Sequence, residues 1–183
     1  MTFMIVALAG RRVDPPDAAE SRFPLENIGI VKERIRKLFR GQQATTLVCS
    51  AACGADLLAL EAAQDLEIRR RVVLPFTRDV FRRTSVVDRP GGWGKSYDLV
   101  LDDVQNKGDL VLLGYSENDP AGYTATNRAI LDEATTIARA SDLSLSAVIV
   151  WDCKSRGPDD LTEQFQKDAQ GRHLPIIEIP TVG

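Results

Sequence analysis

The stretch Thr45-Thr46-Leu47-Val48-Cys49-Ser50-Ala51-Ala52-Cys53-Gly54-Ala55-Asp56-Leu57-Leu58-Ala59 decides the fold of this chain. It begins with apolar and β-branched residues, which predict a buried strand over Thr45–Ser50. Small residues follow, and apolar residues then continue at a spacing that predicts a helix over Ala55–Leu66. The chain therefore passes from a strand into a helix through a turn of small side chains, as in the βα units of α/β proteins.

The same alternation extends in both directions from this stretch, with short apolar runs separated by longer amphipathic segments. The other predicted strands are Phe3–Ala9, Arg71–Leu74, Asp109–Leu113, Ser146–Trp151 and Leu174–Ile179. The other predicted helices are an apolar stripe from Ile28 to Leu38, then Trp93–Gln105, Thr124–Ala140 and Asp159–Ala169. This pattern predicts a single α/β domain over residues 1–183, with a mostly parallel sheet of about six strands.

Composition limits the classes of function. The chain has 183 residues, 23 Lys and Arg, 26 Asp and Glu, and a net charge of −3. A basic excess supplies most of the affinity of nucleic-acid and membrane-surface binders, so we expect neither kind of partner. Three cysteines, the lack of an N-terminal signal pattern and the lack of a long apolar run predict a cytoplasmic protein with no membrane span.

Ligands of open α/β sheets bind beyond the carboxyl ends of the strands, so the residues after each strand are candidate site residues. Gly10, Arg11 and Arg12 follow the first strand. A glycine allows close approach of the backbone, and guanidinium groups suit an anionic ligand. The alternative is that both arginines are surface residues that pair with Asp14 or Asp17.

The second strand leads into the turn Ser50–Asp56. Its exposed N–H groups and the positive end of the helix dipole would suit a phosphate or a sugar hydroxyl, and Gly54 would leave room for either. Asp56 would repel a phosphate seated at the same place. It therefore either accepts hydrogen bonds from ribose hydroxyls or holds Arg11 or Arg12 in position, unless it only compensates the helix dipole.

Two later segments also reach the predicted ligand edge. Extending the apolar stripe of the fourth helix backwards brings Asn127 and Tyr123 to its inward-facing end, where they could bind and stack on a base. Simple packing of an amphipathic Tyr at the core edge is the alternative. Asp152 follows the fifth strand, and the acidic residues near it favour phosphates closer to Gly10–Arg12 and Gly54.

Two further patterns do not predict a site. Gly91-Gly92-Trp93-Gly94-Lys95-Ser96 resembles the end of a P-loop, but Arg89 stands where that motif requires glycine, and no strand precedes the segment. Cys49, Cys53 and Cys153 lack a fourth sulfur or a nearby His, which argues against structural zinc. We therefore expect neither a metal nor a cofactor.

Taken together, these residues resemble the SLOG superfamily, which includes the DprA and LOG proteins. The resemblance covers nearly the whole chain, and the block around Gly54 and Asp56 is its most specific part. The positions that carry it are Ala9–Arg12, Phe23-Pro24, Ser50–Ala63, Leu74–Phe76, Phe81, Ser85-Val86, Trp93, Tyr123, Asn127 and Val150–Asp152.

The resemblance implies a three-layer Rossmann-like fold and a ligand pocket. By position, the pocket would be lined by Gly10, Arg11, Arg12, Ser50, Gly54, Asp56, Tyr123, Asn127 and Asp152. Two places depart from the family pattern. Arg11 stands where a His is more usual, and Arg156-Gly157-Pro158-Asp159 replaces a Gly-Gly-Thr turn.

The function that the resemblance implies is a sensor of bacterial signalling or antiviral defence. Its ligand would be a nucleotide or a nucleotide-derived messenger such as ADP-ribose or a cyclic relative, and it would control a fused or separate effector. The alternative is a LOG-like phosphoribohydrolase or a nucleoside transferase in which Asp56 or Asp152 is catalytic. Because the Pro-Gly-Gly-x-Gly-Thr-x-x-Glu motif of LOG enzymes is absent after the corresponding strand, sensing is favoured. A third hypothesis is a scaffold that forms homo-oligomers.

Overall fold

Six parallel strands form one sheet in the computed structural model, which describes residues 2–183. The strands are β1 (Met4–Gly10), β2 (Ala44–Cys49), β3 (Arg69–Leu74), β4 (Leu110–Leu112), β5 (Ser144–Trp151) and β6 (Ile176–Pro180). The helices are α1 (Ile28–Gly41), α2 (Ala55–Asp65), α3 (Arg78–Ser85), α4 (Gly94–Asn106), α5 (Ala121–Ser141) and α6 (Leu161–Gly171). The predicted α/β class and all six predicted strands are confirmed.

Helix α3 was not predicted from the sequence. It has eight residues and only two of them, Phe81 and Ser85, are buried, so its apolar periodicity is too short to recognise. The other five helices lie where the sequence predicts them, with ends that differ by a few residues.

The sheet is covered on both faces, which gives the three layers expected of a Rossmann-like fold. Side chains of a strand alternate between the faces, and Val6 and Leu8 of β1 therefore pack in one apolar cluster while Ile5 and Ala7 pack in another. The first cluster includes residues of α1 to α4, and the second includes residues of α5 and α6. Burial on both faces explains why the strands are apolar along most of their length.

The strand order, β4-β3-β2-β1-β5-β6, reverses direction at the centre of the sheet. From β1 the chain adds strands on one side until β4, and α5 then crosses the sheet so that β5 pairs with the other side of β1. The loops after β1 and β5 consequently diverge at their carboxyl ends. Such a topological switch point is where open α/β sheets form their ligand crevice.

Among residues 2–183, no helix is both long and apolar enough to cross a membrane.

Candidate functional site

A cavity of about 720 Å³ opens at the switch point. Its walls come from the carboxyl end of β1, the loop that follows it, the β2–α2 turn, the N-terminal end of α5 and the segment leading into α6. Seven of the nine predicted site residues line this cavity, namely Gly10, Arg11, Arg12, Ser50, Asp56, Tyr123 and Asn127. Gly54 and Asp152 lie behind the wall and contact residues that line it.

Two glycines allow the β1 loop and the start of α2 to pack together. A Cβ on Gly10 would lie 2.5 Å from both the Cβ of Ala55 and the carbonyl oxygen of Val150. Gly54 has φ +102°, and a Cβ there would lie 2.7 Å from the carbonyl oxygen of Arg11. Gly54 therefore leaves room for the backbone of the neighbouring loop, whereas the sequence suggested room for a ligand.

Asp56 is the buried acid of this wall. Only 8% of the residue is exposed, and one carboxylate oxygen accepts a hydrogen bond from the Ala52 N–H at 3.1 Å. Burial raises the pKa of Asp56 to about 7, although the Ala52 bond acts in the opposite direction. Asp56 pairs with neither Arg11 nor Arg12, because both arginines have other partners. A carboxyl group that changes protonation near neutral pH therefore faces the cavity.

Arg11 is buried and paired within the protein. Its Nε donates to Asp152 at 2.9 Å, and its two terminal nitrogens donate to the two carboxylate oxygens of Asp160 at 2.6 and 2.8 Å. One terminal nitrogen also donates to the carbonyl oxygen of Lys154 at 2.6 Å. The guanidinium lies 5.4 Å from the ring centre of Trp151. Arg11 pairs with neither Asp14 nor Asp17, the two partners that the sequence suggested.

Asp160 closes the N-terminal end of α6. Its carboxylate accepts from the N–H groups of Thr162 and Glu163 as an N-cap, and from the N–H of Arg156 at 2.9 Å. Burial alone would raise the pKa of Asp160, but the bonds from Arg11 and from these N–H groups lower it to about 2. A carboxylate of the protein thus occupies the N-terminal end of this helix, where an anionic ligand could otherwise bind to the exposed N–H groups.

The loop between β1 and α1 forms a second wall, and its own hydrogen bonds hold it in place. Asp14 accepts from the backbone N–H groups of Arg22 and Phe23. Arg22 donates to Asp152 at 2.9 Å and to Glu20 at 3.0 Å. Asp152 therefore connects Arg11 to Arg22, and its carboxylate is directed to these two cations. Arg22 was not predicted as a site residue, because no sequence feature near it indicates that it pairs with Asp152, 130 positions away.

The cavity lining is rich in arginine, with five arginines against three acids. Arg12 pairs with Asp88 at 2.8 Å, and Arg89 donates to the carbonyl oxygen of Val13 at 3.0 Å. Arg156 is the least neutralised, because its Nε lies 3.9 Å from the nearest oxygen of Asp160. Burial and the positive charges of Arg11, Arg22 and Arg12 lower the pKa of Arg156. Burial is the largest of these causes, and the nearby guanidinium groups add to it.

The wall formed by α5 is mostly apolar. The Tyr123 ring meets Phe76 edge to face, with 5.4 Å between ring centres, and Ile130 continues the same wall. Asn127 is buried, and its Nδ2 donates to the carbonyl oxygen of Leu161 at 2.9 Å. Extending the helical stripe therefore located both Tyr123 and Asn127 at the cavity, although the Asn127 amide also ties α5 to α6.

None of the residues in the two patterns set aside in the sequence lines the cavity. Gly91–Ser96 leads into α4, and the Ser96 hydroxyl donates to Glu61 at 2.6 Å. Cys49 and Cys53 are buried, Cys153 is exposed, and none of the three forms a disulfide bond. Across residues 2–183, no group of three or more His, Cys, Asp or Glu residues could hold a metal ion.

The strand order, the two helical layers and the cavity at the switch point define a Rossmann-like three-layer α/β protein. Among solved structures, the chain is similar to the X-ray structure of DNA processing protein A (DprA) from Streptococcus pneumoniae. The TM-score is 0.43 at 16% sequence identity, and the match covers 96% of this chain and 58% of that chain. No protein-family model and no curated protein matches the sequence. Nothing about the ligand or the function follows from this degree of likeness.

Proposed function

We propose that this protein binds a nucleotide or a nucleotide-derived messenger, such as ADP-ribose or a cyclic relative, in the cavity at the switch point. The observation that carries the proposal is one cavity that combines an arginine-rich side with an apolar, aromatic side. A nucleotide has the matching two parts, an anionic phosphate group and a planar base. The cavity volume, about 720 Å³, is in the range of small-molecule sites.

The arginine-rich side supports a bound anion. Arg156 lines the cavity and has no carboxylate within hydrogen-bond distance, so its guanidinium is available to a phosphate. Arg12 lies at the same cavity and is only partly buried, so its pair with Asp88 can rearrange. Arg11, by contrast, supports the wall through Asp152 and Asp160, and direct contact between Arg11 and the ligand remains a prediction.

The apolar side supports a bound base. The Tyr123 ring is half-buried and is braced by Phe76, so it offers a fixed surface to a planar group. The small cavity also supports a small ligand over bulk nucleic acid, in keeping with the net charge of −3. The biological role that we propose is bacterial signalling or defence in the cytoplasm, with a fused or separate effector that responds to the ligand.

A binding panel tests this proposal. Purified protein is incubated with nucleotides, NAD, ADP-ribose, cyclic ADP-ribose isomers and cyclic oligonucleotides, and mass spectrometry identifies what the protein retains and what is released. We expect one class to be retained unchanged. Isothermal titration with that compound then compares Arg156→Ala with wild type, and we expect about a tenfold weaker affinity, the effect of losing a charge-assisted hydrogen bond.

Arg128→Ala is the matched control for Arg156→Ala. Arg128 is an exposed arginine of α5 outside the cavity lining, and its removal changes the net charge by the same amount. Retention of no compound, or equal affinities of the two variants, would contradict the proposal. Light scattering with and without the retained compound tests whether binding changes the oligomeric state.

A second candidate, hydrolysis of the N-glycosidic bond of a nucleotide, is favoured by one observation. Asp56 faces the cavity with a pKa of about 7, which suits a general acid or base. Asp152 is less suited, because Arg11 and Arg22 hold its carboxylate. The panel separates the candidates: a free base or nicotinamide, released by wild type and not by Asp56→Asn at saturating ligand, would indicate the enzyme.

A further inference from the structure

The β2–α2 turn offers two polar groups that the protein leaves partly unused. Asp56 accepts one hydrogen bond, from Ala52 to one of its oxygens, and its other oxygen has no partner in the described chain. The hydroxyl oxygen of Ser50 is also without a hydrogen-bond partner among residues 2–183, and it is out of contact with solvent. Buried polar groups are nearly always paired, so the unpartnered Ser50 hydroxyl indicates a ligand at this turn, where the Asp56 carboxylate lines the cavity with one oxygen free.

The position of these groups favours a ligand over a structural role. Both residues line the cavity, and only 8% of Asp56 is exposed. The charged groups that share the cavity wall are Arg11, Arg12, Arg22, Arg89, Arg156, Asp14 and Glu20. None of these forms an ion pair or a hydrogen bond with Asp56. A buried carboxyl group with one N–H donor and no cation is poorly satisfied by the protein alone.

The missing partner must donate hydrogen bonds to the carboxylate and accept or donate one at the Ser50 hydroxyl. A phosphate does neither well beside Asp56, because the two anions repel each other. A pair of adjacent hydroxyl groups fits, since two neighbouring O–H groups can donate to a carboxylate while their oxygens accept from Ser50.

We propose that Asp56 and Ser50 form a subsite for the free vicinal diol of a sugar, so that the cavity selects a ligand with an unmodified ribose. This inference rests on the proposed function and narrows it. Ligands whose 2′ or 3′ hydroxyl is missing or is bound in a phosphodiester would bind more weakly. The apolar wall and the arginine-rich side would contact the rest of the molecule.

The subsite predicts release of a proton on binding. A diol donates to the ionised carboxylate, so bound ligand holds Asp56 in its charged form. Near pH 7 about half of the Asp56 carboxyl groups carry a proton in the free protein, because the pKa is about 7. The proton passes to the buffer, no covalent bond forms or breaks, and about half a proton is released per ligand at pH 7. Affinity for the diol should fall about tenfold per pH unit well below this pKa.

The experiment compares matched probes by isothermal titration: ADP, 2′-deoxy-ADP and 3′-deoxy-ADP, ADP-ribose, and ribose 5-phosphate against 2-deoxyribose 5-phosphate. We expect each deoxy probe to bind wild type at least tenfold more weakly than its parent. This preference should disappear in Asp56→Asn and shrink about threefold in Ser50→Ala. Titrations in buffers of different ionisation enthalpy should give about half a proton released for wild type and none for Asp56→Asn.

Asp17→Asn is the control, because Asp17 is an exposed acid of the β1 loop outside the cavity lining. It should keep both the diol preference and the proton release. Binding of parent and deoxy probes with equal affinity, or equal proton release in Asp56→Asn and wild type, would overturn the diol subsite and leave the nucleotide proposal standing. Failure of every probe to bind would overturn both. Circular dichroism and thermal melting confirm that each variant is folded.

Discussion

Two aspartates stand at the N-terminal ends of two helices beside the same cavity, and their environments are opposite. Asp160 caps α6, receives hydrogen bonds from Arg11 and from backbone N–H groups, and has a pKa lowered to about 2. Asp56 lies in the first turn of α2, receives one hydrogen bond from Ala52, and has a pKa raised to about 7. Burial disfavours the charged form of both carboxyl groups. The number of hydrogen-bond donors to each carboxylate therefore decides whether its pKa is raised or lowered.

The comparison distinguishes a carboxylate that is bonded within the protein, Asp160, from one that can bind a ligand, Asp56. At the N-terminal end of α6, Asp160 binds Arg11 and the backbone N–H groups of the helix. Removal of either side chain would leave the other as a buried charge without its partner. At the end of α2 the cap is Gly54, against which the backbone of the β1 loop packs, while Asp56 lines the cavity with a single N–H donor. A ligand is therefore expected at α2, and the following substitutions test the difference between the two ends.

The largest effect is expected from Arg11→Ala at the α6 end. The substitution leaves the buried carboxylates of Asp152 and Asp160 without their shared cation, and such losses lower the free energy of unfolding by about 3 to 5 kcal/mol. Urea denaturation measures this change. Arg83→Ala, which breaks an exposed pair with Glu117, is the control and should leave the midpoint nearly unchanged. An equally small change in Arg11→Ala would mean that the network is not structural.

Asp56→Asn should stabilise the ligand-free protein at high pH. The folded pKa of about 7 exceeds the ordinary value of 3.8, so the folded state binds more protons between these values and its stability falls as pH rises. Asparagine does not ionise, so the variant does not lose this stability as pH rises. We expect a gain of about 2 to 4 kcal/mol at pH 8, shrinking towards zero near pH 4.

Urea denaturation of wild type and Asp56→Asn at several pH values measures this difference. Other carboxylates, Asp160 among them, change stability in the opposite direction, but they are common to both proteins and cancel in the comparison. A difference that does not vary with pH would mean that the pKa of Asp56 is not raised.

Gly54→Ala should be destabilising by about 1 to 3 kcal/mol, because Gly54 has φ +102° and its Cβ would meet the backbone of Arg11 and Val13 at 2.7 and 2.8 Å. Thermal melting measures the change. Gly29→Ala is the control, since a Cβ there meets nothing within 4 Å and Gly29 lies in α1, where alanine is favoured. A neutral Gly54→Ala would show that the β1 loop can move away from α2.

The smallest effect on stability is expected from Arg156→Ala. Its guanidinium is half exposed and lies 3.9 Å from the nearest carboxylate oxygen, so the free energy of unfolding should change by no more than about 0.5 kcal/mol. Chemical denaturation checks this expectation. A large loss would place Arg156 in the closed network of α6 and remove it from the residues available to a ligand.

The fold was predictable because its signals are local. Each strand is a short apolar run. Residues such as Val6 and Val48 indicate a strand that is buried on both faces, whatever its place in the sheet. Helix α3 was missed, since two buried residues in eight give too little periodicity. The strand order could not be read from the sequence, because it depends on pairing between segments far apart in the chain.

The position of the cavity was predictable from the sequence, and the contacts within the candidate site were less so. Seven of the nine predicted residues line the cavity, because small residues and polar helix ends at strand termini are local features. The partners of Arg11 were not predicted, since Asp160 lies about 150 positions away and only the folded chain brings the two together. One local signal was available: Asp160 precedes Glu163 with the spacing of a helix capping box, which indicates an aspartate occupied by its own helix.

The position of β1 at the centre of a parallel sheet has a consequence for the newly made chain. Met4–Gly10 pairs along its whole length with Ser144–Val150, which the ribosome adds roughly 7 to 28 s later at 5 to 20 residues per second. During this interval one edge of β1 has unpaired backbone groups, and the apolar side chains of Ile5 and Ala7 lack the β5 and α6 residues of their cluster. Chains that end before β5 should therefore aggregate, and folding should be completed only after most of the protein has been synthesised.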